Sequence, residues 1–148
     1  MASLISDSEK AELQTIFEDI FDTFKREITV HKEPKKVISS IDVNHIFGYG
    51  EPSQEQNITF VPRSKNFSAT ITYKMTAADT AYIQDINSYV PGDLVKIKVE
   101  EAAKDYIMSG GATEYVEFDN KKFNLVTDDI ESNFLGVCFH IFFLRVAK

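Results

Sequence analysis

Leu13, Ile16, Phe17, Ile20, Phe21 and Phe24 recur at steps of three and four, which puts them on one stripe of an amphipathic helix. Ser6-Asp7-Ser8-Glu9 precedes the stripe as a capping box, with the Ser6 hydroxyl on the Glu9 amide and the Glu9 side chain reaching back. Acidic residues in the first turn and Lys25-Arg26 at the far end suit the helix dipole. The pattern predicts a helix over residues 6–26. Its stripe can be covered by the chain's own sheet or, in part, by a neighbouring subunit.

Past this helix the hydrophobic period drops to two. Ile28–His31 reads as a short strand stopped by Glu33-Pro34, and Ile58–Val61 as another ended by Pro62. Phe67, Ala69, Ile71 and Tyr73 alternate with Ser68, Thr70, Thr72 and Lys74, a half-buried strand. Thr76-Ala77-Ala78-Asp79 begins a turn of helix running to about Ile83. In Leu94–Val99, Val95, Ile97 and Val99 point inward and the two lysines outward. Glu100–Ile107 has helical composition and ends at Gly110-Gly111. Tyr115–Phe118 and Lys122–Val126 flank Asp119-Asn120, residues that tolerate the positive φ of a tight hairpin. Thr127–Phe134 reads as an acidic loop. The chain then enters its most apolar segment, Gly136–Val146, where both alternating sets of side chains are largely apolar. Such a strand needs cover on both faces.

The expected fold is therefore α+β: a mainly antiparallel β-barrel or sandwich with an N-terminal amphipathic helix and long partner-binding loops. One domain is expected over 1–148, with the helix at 6–26 and a barrel-like part over 27–148. Residues 39–57 carry no periodicity but hold Ile46, Phe47 and Tyr49 among Gly and Pro, which suits a loop that meets a partner or folds back on its own domain.

Charge narrows the function classes. With 148 residues and a formal net charge of −7, the chain lacks the basic balance of a nucleic-acid-binding domain. Its most basic neighbourhood, Lys25, Arg26, Lys32, Lys35 and Lys36, has no glycine cradle or interleaved aromatics for phosphate, and suits a solvated edge or an acidic partner. The opening residues show neither the basic nor the apolar region of a secretory signal, and no apolar run approaches a membrane span. The single cysteine, Cys138, excludes an internal disulfide and reads as an inert core thiol. His31, His45 and His140 share no metal-ligand spacing, and no phosphate loop, nucleophile elbow or HExxH occurs. No enzyme, metal or cofactor is expected.

Leu94–Val99, the hairpin of Tyr115–Val126 and the closing Val137–Arg145 resemble the head-closure (stopper) and neck proteins of tailed bacteriophages. Ile16–Phe24 and Lys32-Glu33-Pro34-Lys35-Lys36 are similar to segments of phage virion proteins. The family usually has Gly at the hairpin tip, where this chain has Asn120. The resemblance implies a barrel subunit of a homo-oligomeric ring, six- or twelvefold, made in the host cytoplasm and placed at the neck of the virion. Portal or adaptor proteins and a tail terminator would flank it, and DNA would pass through the lumen without specific binding. An acidic wall that repels phosphate fits such a conduit. The candidate subunit or partner contacts are Lys35, Lys36, Phe47, Tyr49, Ile130 and Phe134. A tail-terminator or baseplate ring of the same particle, and a monomeric protein-binding β module, are the alternatives.

Overall fold

A computed structural model of the chain describes residues 3–38, 58–83 and 92–148. Loop 39–57, with Phe47 and Tyr49, lies outside the described residues. Helix α1 (Asp7–Phe24) leads into strands β1 (Arg26–Ile38) and β2 (Ile58–Thr72), a short helix α2 (Ala77–Thr80) and strand β3 (Leu94–Val99). Helix α3 (Glu101–Met108) and strands β4 (Thr113–Phe118), β5 (Lys121–Leu125), β6 (Ile130–Phe134) and β7 (Val137–Val146) complete the order. All seven strands form one antiparallel sheet, β3-β2-β1-β4-β5-β7-β6. The fold is α+β with a sandwich-like sheet. β3 also pairs with β7 through six residue pairs, Leu94↔Arg145 to Val99↔His140, so the sheet curls over itself. It is not a closed barrel: β5 meets β7 through only three residue pairs, and the outer halves of β1 and β2 run out of the curl.

The expected local signals hold where neighbouring residues set them. Ser6 and Glu9 form the capping box of α1, and Thr76 and Asp79 form another on α2. Asp119 and Asn120 take φ of 51° and 57°, and Phe118↔Lys121 closes the two-residue hairpin between β4 and β5.

Three of the expected strand boundaries and loops change. β1 does not stop at Pro34, nor β2 at Pro62. Both prolines fall in the one irregular stretch of the β1–β2 ladder, between Lys32↔Arg63 and Lys35↔Val61, where a missing amide breaks no ladder bond. The two short strands expected in 58–74 are thus a single strand. The acidic loop 127–134 instead contains β6, whose hairpin to β7 turns at Leu135 (φ 50°) and Gly136 (φ 88°). Leucine rarely adopts this backbone, so composition hid the turn.

β7 is covered on both faces, as its sequence requires. Phe142 and Leu144 join Ile28, Val30, Val116 and Phe123 in the main core, capped by Ala103 and Ile107 of α3. Phe143 on the opposite face packs with Ile83 and Leu94 in a second cluster. Fully burying a side chain such as Phe142 contributes about 1.5–3 kcal/mol.

Lys32, expected as part of a solvated basic edge, is buried. Its ammonium donates to the carbonyls of Ile107 (3.0 Å), Ser109 and Gly111 (2.8 Å), the C-terminal end of α3 and the glycine turn beyond it. A cation there satisfies carbonyls the helix leaves open and meets the negative end of its dipole. Lys96 plays a comparable part on the other face, reaching Asp79 at 2.9 Å and fastening α2 to β3. Burial works against the charged Asp79, but hydrogen bonds from Thr76 and Lys96 outweigh it and hold its carboxyl below the usual range.

Two stability measurements follow from these anchors. Lys32→Met should lower unfolding free energy by about 2 kcal/mol in urea titration, because the α3 carbonyls lose their shared donor. For Asp79 the folded state binds its proton less readily than the unfolded chain. Its contribution is therefore present above the ordinary carboxylate range and lost as pH falls through the folded value. Asp79→Asn should destabilise the protein at pH 7 and flatten the acid limb of its stability profile.

Candidate functional site

The surfaces that stand out are those the fold leaves uncovered. α1 lies over the β6–β7 hairpin through two ring contacts, Phe17 on Phe134 of β6 (centroids 4.4 Å apart) and Phe21 on Phe139 of β7 (4.7 Å). The Gln14 side chain donates to the carbonyl of Leu135, tying the helix to the β6–β7 turn. Phe21 is the one residue of the stripe that is buried. Ile16, Ile20 and Phe24 remain exposed, Phe24 by 63%. The stripe is thus shared between the chain's own sheet and open surface. Between helix and sheet runs a groove of about 270 Å³ bounded by Ile20, Phe24, Val137 and Phe139, with Thr70 and Lys98 among its lining residues. The Lys98 ammonium stands over the Phe139 ring at 5.4 Å, and burial pulls its pKa down, with Lys96 adding to the effect.

The second uncovered surface is the outer part of β1 and β2. Beyond Lys32, β1 pairs only with β2, and β2 pairs with β3 only from Ala69 onward. Residues 33–38 and 58–62 therefore form a two-stranded ribbon. Cross-strand partners share a face, which puts Lys35, Val37 and Val61 on one side and Lys36, Ile38, Ile58 and Phe60 on the other. Phe60 is 63% exposed, Ile38 51% and Val61 45%. A ribbon apolar on both faces is marginal in water unless something packs on it. Its base is braced: the Glu33 amide donates to the Ala112 carbonyl at 3.0 Å, and Arg63 Nε to the Glu33 carbonyl at 3.0 Å.

The candidate contact residues divide accordingly. Lys35 and Lys36 stand on the exposed ribbon, with no ion-pair partner among the described residues. Ile130 and Phe134 lie at the two ends of β6, on the far side of the sheet order from β2. Ile130 packs against the second core cluster, whereas Phe134 rests on Phe17 and still exposes 52% of its surface. Sequence reasoning found the strand Ile58–Val61 but missed Val37 and Ile38 opposite it, because they lie past a proline that reads as a strand stop.

A polar cluster sits where β6 meets β7. His140 is buried, and its Nδ1 lies 2.8 Å from Asp129 Oδ1, so this histidine is satisfied as expected for a core residue. Cys138, two residues away on the same face, is half-buried rather than in the core. Its Sγ is 3.3 Å from Glu131 Oε1 and 4.0 Å from His140 Nε2. Partial burial, and then the hydrogen bond and negative charge of Glu131, push the thiol pKa up. The carboxylate thus favours the protonated thiol and works against a nucleophilic thiolate. Among the described residues, no group of three or more His, Cys, Asp or Glu is arranged to hold a metal ion, and no helix is long and apolar enough to cross a membrane.

Comparison with known proteins finds no family model that matches this chain, no similar curated protein and no similar solved structure.

If the rings of Phe17 and Phe134 are what hold α1 to the sheet, Phe17→Ala should loosen the helix without unfolding the core. Amide exchange in residues 10–24 should speed up by roughly tenfold, about 1.4 kcal/mol of local stability, while strands β3 and β7 keep their protection.

Proposed function

We propose that the chain is a structural subunit of a tailed-phage neck, assembling with copies of itself into a ring that joins the portal to the tail and lets DNA through. The observation that carries this reading is the pair of uncovered apolar surfaces, the ribbon and the open part of the α1 stripe, on a protein whose cores are otherwise closed. Surfaces of this kind mark sites of association. They lie on different elements and are unlike each other, as a head-to-tail ring contact requires. The net charge of −7 suits a lumen that must not grip DNA. The resemblance of Leu94–Val99, Tyr115–Val126 and Val137–Arg145 to head-closure proteins supplies the particular place in the particle, with a barrel-like subunit between portal or adaptor below and tail terminator above.

Light scattering of the purified protein, alone and with portal and tail proteins, tests the proposal. The expected result is a discrete mass at a small multiple of 16.8 kDa, or a monomer that joins a ring when a portal protein is added. A monomer indifferent to every virion partner would overturn it and favour a monomeric protein-binding β module.

A further inference from the structure

Among the described residues, the sheet has unpaired edges on β6 and on β1. β6 pairs with β7 and with no other described strand, leaving the outer edge of Ile130–Phe134 unpaired. Among the described residues, the outer edge of β1 is likewise unpaired beyond the Glu33 amide, over Lys35–Ile38. Exposed edges of this kind template pairing with another chain unless they are covered.

Their surroundings carry opposite charge. The ribbon holds Lys35 and Lys36 against Glu33, and Arg63 and Lys65 follow it on the adjoining stretch of β2, which brings this end of the β1–β2 pair to a net +3. The approach to β6 holds Asp128, Asp129 and Glu131 without a basic residue, a net −3. Helix α1, lying alongside through Phe17 and Phe134, adds six acidic residues against Lys10. Apolar side chains accompany both: Val37, Ile38 and Phe60 on the ribbon, and Phe134 with Ile20 and Phe24 beside β6. The two edges belong to strands well apart in the sheet order.

We infer that the occupant of the β6 edge is the ribbon of a second copy of this chain. The Lys35–Ile38 segment of one subunit adds to the free edge of Ile130–Phe134 in the next. Lys35 and Lys36 meet the acidic approach at Asp128 and Glu131, and the ribbon's apolar residues cover Phe134 and the open side of α1. Main-chain hydrogen bonds supply affinity in such strand addition, and the charges set partner and register. Each subunit offers one ribbon and one edge, so the contact propagates head to tail. This inference rests on the ring reading above and names its joint.

Charge reversal tests it on the full chain. Lys35→Glu with Lys36→Glu should weaken self-association by roughly a hundredfold in sedimentation velocity, and Asp128→Lys with Glu131→Lys should do the same. Combining all four should restore it. Because Glu131 also touches Cys138, thermal melts of each variant check that folding is intact. Hydrogen exchange provides an independent readout: amides of 35–38 and 130–134 should become protected only in the assembled protein. A wild-type ring that survives both reversals, or whose edge amides stay unprotected, overturns the ribbon-to-edge joint and leaves the ring reading standing. A wild-type chain that stays monomeric with portal and tail proteins present overturns both.

Discussion

Strand β7 is the constraint on which the rest of the structure depends. One of its edges pairs with β3 over six residues, and the other is divided between β5 at the C-terminal end and β6 at the N-terminal end. One face contributes Phe142 and Leu144 to the main core, and the other contributes Phe143 to the second cluster and Phe139 to the seat of α1. A strand used on every side has its register doubly specified, because a slip of one residue would exchange both apolar faces and break pairing with three neighbours. The burial of β7 therefore places α1, α2 and α3 as well as the sheet.

Polar and aromatic fastenings add to apolar packing in holding the peripheral elements. Lys32 ties the end of α3 to β1, Lys96 ties α2 to β3, and Gln14 with two phenylalanine contacts ties α1 to the β6–β7 hairpin. Asp119 accepts from both Arg26 and Tyr73, joining the β4–β5 turn to the starts of β1 and the segment after β2. Fastenings of this sort fix orientation while leaving apolar area open, which is the condition for a subunit that completes its packing on a neighbour. On the proposed reading, the unburied part of the α1 stripe and the two-faced ribbon are the unfinished parts of the fold.

The cluster at Cys138, His140, Asp129 and Glu131 carries a related lesson. Cys138, His140 and Asp129 are the residue types of a nucleophilic triad, and Glu131 sets a further carboxylate beside the sulfur. A carboxylate 3.3 Å from the sulfur favours the neutral thiol, and the imidazole is 4.0 Å from it. These contacts link β6 and the residue before it to β7, with His140 held by Asp129.

Much of this was legible in the chain alone, wherever the cause lies within a few residues. The capping boxes at Ser6 and Thr76, the stripe of α1, the turn at Asp119-Asn120 and the two-sided apolar character of β7 are local facts, and local physics settles them. Three features were decided by residues distant in sequence. Pro34 and Pro62 read as strand stops until the ladder sets them together in one irregularity, where neither amide is needed. Leu135 reads as an ordinary apolar residue, but β6–β7 pairing and the contact with Gln14 hold it in a left-handed turn. Lys32 reads as solvated like Lys35 and Lys36, yet the end of α3, some seventy residues later in the chain, surrounds it with carbonyls. Periodicity and composition report how a residue meets its neighbours along the chain. Whether an amide, a charge or an apolar face finds a partner across the fold is a property of the pairing, and only tertiary structure determines it.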